Sequence, residues 1–534
     1  MAPAARAPPR VALQGDRGVR GLAWGARADG VARADTPQFQ RLRDLKQLGL
    51  TYLVFPGASH NRFEHSLGTA HLASSVFTHL FRLQRKDLEA ERADGDAVTI
   101  AVRVTPTRLP RPRRTPARAL NRSLLSSSSA QGLCHDLGHG PFSHVFDSEF
   151  LPRRFGSSYD PDAWCHEEMG ASMLEYLIDA NHLDLTAHGA PEDLVRRVQS
   201  LITSGHGPRA SSQGAPGPAK GYLKEIVANA RNSVDVNKFD YIARDCQNCG
   251  LKNSADFTRL QLYMKVIDDE ICFKASEVLN LYELFHTRAS LHQRVYTHKK
   301  AKAIEYMVVD ALSEADEVWG SEVSRAIWSP RDFCQLDDTV LKRIEWSRDE
   351  KMRPAQAILA RLRRRDLYKY VNEFTVPRDR LPQWRDVRPE DITAHNKDGG
   401  PPGGLRPEDV IVQNLKIDWA MKASNPVDKI HFYQDYDSLD KFLIPKEKVS
   451  SLIPDVFMER KVRVFSKSAD PAAVAAVEAA FVAYQHAEYH KATLTVHGCT
   501  PVKGSRKRIF DVIAAADRTS PLGKTSQPEA HEAA

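Results

Sequence analysis

The chain has 534 residues, of which 27% are charged and 42% hydrophobic, and it carries a formal net charge of +7. That length supports one large core or several lobes, and the mild positive balance suits anionic ligands without marking a dedicated nucleic-acid binder. No apolar run reaches the length of a membrane span, residues 1–20 hold no secretory apolar core, and seven scattered cysteines argue for a reducing intracellular compartment.

Residues 1–34 are rich in Ala, Arg, Gly and Pro and read as disordered. From Asp35 the texture changes. Phe39, Leu42, Leu45 and Leu48 recur at helical spacing behind Thr36 as N-cap and Pro37 at the first helical position. Leu53–Gly57 reads as a short extended piece and turn, Arg62–Leu83 as a long helix and Ala97–Val102 as a short apolar one. Residues 104–131 break the pattern, with six Arg, four Pro, five Ser and no acid. Val104 needs a codon beginning GT and Gln131 can be CAG, the usual ends of an intron. Two readings are open, a disordered arginine-rich insertion and, the favoured one, a retained intron of 28 codons whose removal would join Ala97–Arg103 to Gly132 as one helix. A transcript that always carries these codons would overturn that reading.

Amphipathic helices are predicted at Glu167–Ala180, Glu192–Ile202, Tyr222–Arg244, Glu277–Tyr296 and Ala301–Val318. Cys246 and Cys249 form a lone CxxC, which reads as incidental packing. Ala355–Tyr370 looks helical, Asp409–Asp418 and Lys429–Gln434 alternate like strands, and Asp470–His486 is an Ala/Val-rich helix. Asn396–Gly404 is a Pro/Gly-rich linker, and the basic cluster Lys503–Arg508 reads as a solvated tail. The expected fold is mainly α: an all-helical core over 35–325, a smaller mixed α/β lobe over 330–500 and a disordered tail over 501–534.

The segment Gly132–His144 holds three histidines and an aspartate within ten residues, among glycines. Imidazole and carboxylate together suit zinc, iron or manganese. If Leu133–His139 is helical, His135 and His139 share one face, with Asp136 beside them. A mononuclear site needs further ligands. His65 is the best upstream candidate, and Arg62, three residues earlier, could hold a phosphate against the metal. Downstream, Asn232–Asp245 packs acids, a Lys, a Tyr and an Arg on one helix, with Lys238, Tyr241 and Asp245 sharing a face. A solvated charged face is the plainer alternative, against which Phe239 and Tyr241 argue.

His65, the His135-Asp136 pair and the downstream Asp-rich helix reproduce the H…HD…D layout of HD-domain phosphohydrolases. The runs Asp35–Arg43, Val54–His65 and Phe285–Arg288 narrow the likeness further. Across about residues 35–500, apart from 104–131, the chain resembles the vertebrate SAM-and-HD-domain deoxynucleoside triphosphate triphosphohydrolases. The resemblance implies cleavage of dNTP to deoxynucleoside and inorganic triphosphate. It implies one transition metal (Zn, Fe or Mn) on His65, His135, Asp136 and the position of Asn237. His139, His144, Asp147 and His166 would surround the triphosphate, one of the histidines protonating the leaving oxygen.

By the same resemblance Arg62, Lys238 and Arg288 neutralise phosphate, Tyr241 and Asp245 hold the sugar, and Gln47, Leu48 and Tyr296 crowd its 2′ side, with His292 also in the pocket. Asp35, Gln40 and Arg43 resemble a guanine-selective activator site. Val54, Phe55, Arg259, Lys274, Arg294, His298, Lys299 and Arg365 resemble the adjoining dNTP activator site. A homotetramer assembled by GTP or dGTP and dNTP, Mg with the bound nucleotides, a nuclear location with the cytosol as the alternative, and a part in antiviral defence belong to the same expectation. No membrane partner is expected.

Four departures from the family pattern stand out. Asn237 replaces the fourth ligand, an aspartate; its carbonyl oxygen remains but the charge is lost, and metal affinity should fall roughly ten- to a hundredfold. A SAM domain is not expected in the chain. The segment before Asp35 lacks the family's lysine-bearing strand. Ser276, Ser424 and Thr297 replace a basic residue, a basic residue and a glutamine of the nucleotide sites. The alternatives are a weakened relative that binds nucleotides or single-stranded nucleic acid, and an HD phosphohydrolase acting on another phosphoester.

Overall fold

The computed structural model describes residues 35–84, 130–160, 164–186, 192–203, 220–396 and 404–489. The expectations for 1–34, Ala97–Val102, the tail and all but the last two residues of 104–131 lie outside them. The architecture is mainly α, with two three-stranded sheets. Among the described residues no helix is long and apolar enough to cross a membrane. Contacts divide the chain into two units. One is the chain up to Arg365 together with Lys416–Glu459; the other is Asp366–Leu415 with the chain from Arg460. The units part at Arg365–Asp366, Leu415–Lys416 and Glu459–Arg460. The chain also returns to the first unit, because Val427, Ile430, Phe432 and Phe457 are buried in its core.

The helix Arg62–Leu83 starts where the Asn61 side chain accepts from the Glu64 amide, satisfying one of the amides a helix start leaves open. Its buried face carries Phe63, Ser66, Thr69, Ala73, Val76, Phe77 and Leu80, a helical period. The single helix expected over Tyr222–Arg244 is instead two, Gly221–Val227 and Val236–Asn248. The break has a local cause. Asn229 accepts from the amides of Arg231 and Asn232, Asn232 from that of Val234, and Asp235 from those of Asn229 and Lys238. Such side chains offer the backbone partners that compete with the helical ladder, and Ser233 adopts a φ of 65°. Asp235 thereby becomes the N-cap of the second helix.

The hairpin of the first unit escaped the periodicity argument. β1 (Met264–Ile267) and β2 (Glu270–Lys274) form a hairpin around Asp268 and Asp269, both at positive φ. Only Phe432–Tyr433 of the expected strand Lys429–Gln434 pairs, in parallel with β2. The expected helix Glu277–Tyr296 is Val278–Leu291 continued by a π-helical turn His292–Tyr296, and Lys299–Val318 follows. The helix Arg353–Arg363 stops short of the expected Tyr370, because Arg365 turns at φ 62° and an extended strand begins at Lys369. In the second unit the strand Lys369–Thr375 pairs antiparallel with Met458–Ser466, which also neighbours Val410–Asp418. The helix Pro471–Tyr489 packs Val474, Val477 and Phe481 with Val371, Phe374, Val462 and Val464.

Candidate metal centre and phosphate site

Residues 130–134 are helical and His135–Gly138 form a turn, so the helix entertained for Leu133–His139 ends before His135. The turn sends the histidines to different places. His65, His135 and Asp136 form one group whose ligand atoms lie within 4.8 Å of one another, and His139, His144, Asp147 and His166 form a second. Gly138 is where the turn meets the helix His166–Ala180. A Cβ there would lie 1.9 Å from the His166 carbonyl oxygen and 2.3 Å from the Gly170 nitrogen. Both obstacles are backbone, so Gly138→Ala should cost about 1–3 kcal/mol, the usual range for overpacking. A thermal midpoint equal to wild type would contradict that contact.

The first group fits a divalent ion. Nδ1 of His135 donates to the Gly132 carbonyl at 2.8 Å, and Nδ1 of His65 pairs with Asp240 at 2.7 Å. These contacts place the protons on Nδ1 and leave both Nε2 atoms as donors of lone pairs. The two Nε2 atoms are 3.3 Å apart. Asp136 stands 3.7 Å from His65 Nε2 and 3.5 Å from His135 Nε2. A tetrahedral ion with bonds of about 2.1 Å needs its ligands roughly 3.4 Å apart. Burial works against the Asp136 carboxylate, but Arg62 at 2.7 Å, His135 and His139 outweigh it and hold its pKa well below the usual value. Burial likewise opposes the charged form of His65, yet Asp240 and Asp136 raise its pKa. Burial is the main reason the His135 pKa falls. Asn237 is half-buried on the helix that supplies Asp240, one turn before Tyr241, whose ring lies 6.5 Å from that of His65.

The second group is built differently. His166 has both ring nitrogens on carboxylates, Nδ1 3.1 Å from Asp147 and Nε2 3.1 Å from Glu167. Against the cost of burial, these acids raise its pKa to about 9. His139 stacks on it at 4.0 Å. Burial, Arg62 and His166 push the His139 pKa far down. One imidazolium and one neutral imidazole therefore lie face to face at neutral pH. His144 Nδ1 also reaches Asp147, three residues on, at 3.5 Å.

Several of the expected substrate residues contact one another or these groups. His60 and Tyr296 bond the two oxygens of Asp245 at 2.7 and 2.6 Å, and Gln47 donates its amide to the His60 carbonyl. His292 packs on Tyr296 and lies within electrostatic reach of Arg288 and His144. Burial and Arg288 lower its pKa to about 3, so it stays neutral. Leu48 packs on the core edge, and Thr297 bonds the His292 carbonyl. Lys238 pairs with Asp235 at 2.9 Å, and Arg288 with the Asp418 carbonyl at 2.9 Å. Among the described residues, Gln47 Oε1, His139 Nδ1 and Arg288 Nε are buried with no hydrogen-bond partner. All three belong to residues expected to hold substrate, and buried atoms elsewhere, Ser66 Oγ and Trp164 Nε1 among them, share this state.

The expected activator residues fall into smaller sets. Arg365 donates to the Leu53 carbonyl beside Val54 and Phe55, and Phe55 meets His298 edge-on. Lys299 opens the helix that follows His298. Arg259 pairs with Glu277, to which Ser276 also donates, and shares the Tyr263 ring with Lys274. Arg43 bonds Gln40 at 2.7 Å and covers the Phe63 ring. Asp35 and Arg294 are exposed, and Ser424 donates its amide to Met421. Sequence reasoning assigned no role to Asp240, Glu167, His60 or Asp418. The first two were readable: Asp240 lies in the acid-rich helix and Glu167 adjoins His166.

The family described as "HD associated region" matches residues 255–439. A "Deoxynucleoside triphosphate triphosphohydrolase SAMHD1 homolog" from Dictyostelium discoideum is 41% identical over 434 residues, 81% of this chain and 73% of its own length. The "Deoxynucleoside triphosphate triphosphohydrolase SAMHD1" of Bos taurus is 36% identical over 474 residues, 84% and 74% of the two lengths. The protein of that name from Homo sapiens is 36% identical over 472 residues, 84% and 69%.

Proposed function

The chain belongs to the SAMHD1 deoxynucleoside triphosphate triphosphohydrolase family, and on that premise we propose that it hydrolyses dNTPs to deoxynucleoside and inorganic triphosphate. The observation that carries the reading is the pair of adjoining groups: a two-imidazole, one-carboxylate set at ligand spacing beside a stacked imidazolium and imidazole. The donor set suits zinc, iron or manganese. A divalent ion held by His65, His135 and Asp136, with Asn237 adjoining, would polarise a phosphoryl oxygen and acidify water.

The chain's own residues supply the rest. Arg62 and Arg288 offer guanidinium groups to the triphosphate, Arg62 from its pairing with Asp136 and Arg288 through its unpartnered Nε. His166 carries a proton at neutral pH and is the donor best prepared to protonate the departing 5′-oxygen. Asp147 orients it and His144. Tyr241, Asp245 and Tyr296 hold the sugar, and Gln47 and Leu48 close its 2′ side. The set of Val54, Phe55, His298 and Arg365 and the pair Arg259 and Lys274 support activation by GTP and dNTP, with Mg on the bound nucleotides, through a homotetramer.

Asn237 favours a second reading, a weakened relative that binds nucleotide with little turnover. The test is hydrolysis of dGTP, with GTP present, by the wild type, Asn237→Asp and the chain lacking 104–131. Deoxyguanosine and inorganic triphosphate from the wild type are expected. Release of pyrophosphate or orthophosphate would overturn the reaction assigned. No turnover by a metal-loaded wild type, with turnover by Asn237→Asp, would favour the second reading.

A further inference from the structure

The turn Gly140–His144 is braced by a segment almost two hundred residues further along the chain. Asp338 lies in the loop before the helix Val340–Trp346. Its Oδ1 accepts from the Phe142 amide at 2.6 Å, and its Oδ2 accepts from the Lys46 amide at 2.9 Å. Its own amide donates to the Asp44 carbonyl at 3.2 Å. One carboxylate thus joins the segment that ends in Gln47 and Leu48 to the turn that ends in His144.

Other contacts tighten the same seam. Ser143 donates its hydroxyl to the Lys46 carbonyl at 2.7 Å and accepts from Arg62 Nε at 2.8 Å. Arg41 reaches the carbonyls of Leu336, Leu137 and His139 at 2.6, 3.2 and 2.7 Å. Arg41, anchored on Leu336, and Asp338 therefore hold the histidine loop on both sides of His139. A Cβ at Gly49 would lie 2.6 Å from the Phe142 carbonyl oxygen, so the two backbones touch with no side chain between them.

The turn needs such support. Phe142 and Ser143 sit at φ 62° and 57°, a region costing non-glycine residues of order 1–3 kcal/mol and held only where the surroundings over-determine it. Losing the acceptor at the Phe142 amide would let the turn relax toward ordinary backbone. His144 and His139 would then drift from the phosphate, and Gln47 and Leu48 from the sugar.

We propose that Asp338 is a positioning residue that couples the 2′-face segment Lys46–Leu48 to the histidine turn, so that rate and deoxyribose selectivity are set together. This rests on the function proposed above. It adds a residue that touches neither nucleotide nor metal ligands and acts only through backbone amides. Displacements near 1 Å from remote substitutions cost about a hundredfold in rate.

The experiment compares full-length wild type with Asp338→Ala, Asp338→Asn and Asp337→Ala. The readouts are kcat and KM for dATP and for ATP with GTP present, metal content, and amide hydrogen exchange. Asp337 serves as control for nearby charge, because its carboxylate lies within electrostatic reach of Asp338 and Arg41 while its hydrogen bonds go locally to Thr339. Expected for Asp338→Ala are a kcat loss of roughly ten- to a hundredfold, a reduced preference for dATP over ATP, unchanged metal content, and faster exchange confined to peptides covering 44–48 and 138–146. Asp338→Asn keeps one carbonyl acceptor and should fall between, which also serves if the alanine variant does not fold. Wild-type kcat and selectivity in a folded Asp338→Ala, with only the melting temperature lowered, would overturn the proposal. If the wild type turns over no dNTP, the functional reading fails separately. The brace is then decided by exchange alone, and unchanged exchange at both segments would overturn it.

Discussion

Replacing His166 by asparagine is expected to lower kcat for a dNTP by roughly two to three orders of magnitude, within the range a general acid contributes. KM should change far less, because the phosphate-facing cations Arg62 and Arg288 are untouched. The pH dependence identifies the cause. An acid works while protonated, and His166 is held at about 9 by Asp147 and Glu167 against its burial. Wild-type kcat should therefore hold through neutral pH and fall about tenfold per unit above 9. The variant should lose that limb and keep a low, flat rate. Linkage gives an independent check. A histidine whose folded pKa is raised above the ordinary 6.5 contributes stability that is full below 6.5 and disappears as pH rises toward 9. The melting temperature of the wild type should decline across that window more than that of His166→Asn. Equal alkaline limbs in kcat for both proteins would reassign the proton to another group, with His139 a poor alternative because it is neutral at pH 7.

Much of this was legible from residues alone, and the exceptions have physical causes. The helix Arg62–Leu83 has both its expected ends because Asn61 caps it and its apolar period is unbroken. The break at 228–235 was hidden because Asn229, Asn232 and Asp235 are ordinary helix-surface residues by pattern; only in three dimensions do they turn their side chains onto the backbone. The two strands of the hairpin Met264–Lys274 are buried at every residue but Lys274, so they show no alternation for a period-two argument to find.

The site divides in the same way. Its histidines announce themselves by composition, whereas the groups that tune them do not. Asp240 sits within the quoted helix yet gains meaning only when His65 arrives from another helix. Asp338 is nearly two hundred residues from the turn it holds. Burial is what converts these contacts into function. Arg62 and Asp136 are almost wholly removed from water, where a charge without its partner is costly. An arriving phosphate must therefore compete with Asp136 for Arg62. Arg288 is likewise held by Asp418, 3.6 Å from its carboxylate, and only its Nε is left without a partner.

Asn237→Asp should raise metal affinity roughly ten- to a hundredfold. An asparagine oxygen offers a dipole where a carboxylate would offer a charge, and the existing set of two imidazoles and Asp136 supplies only one negative charge to a divalent ion. The gain has a cost that makes it diagnostic. Without metal, a new carboxylate enters helix Val236–Asn248 three residues before the buried Asp240, and like charges in a buried setting repel. The metal-free variant should melt below the metal-free wild type. With metal in excess the order should reverse, because a ten- to hundredfold tighter site adds about 1.4–2.7 kcal/mol of binding free energy to the folded state. Differential scanning measurements on chelated and reloaded protein, with metal content after dialysis, decide the point. The same melting order with and without metal would place Asn237 outside the metal's reach and leave the centre with His65, His135 and Asp136 alone. If the order does reverse and dNTP turnover rises with it, the asparagine is the step that restrains this member of the family.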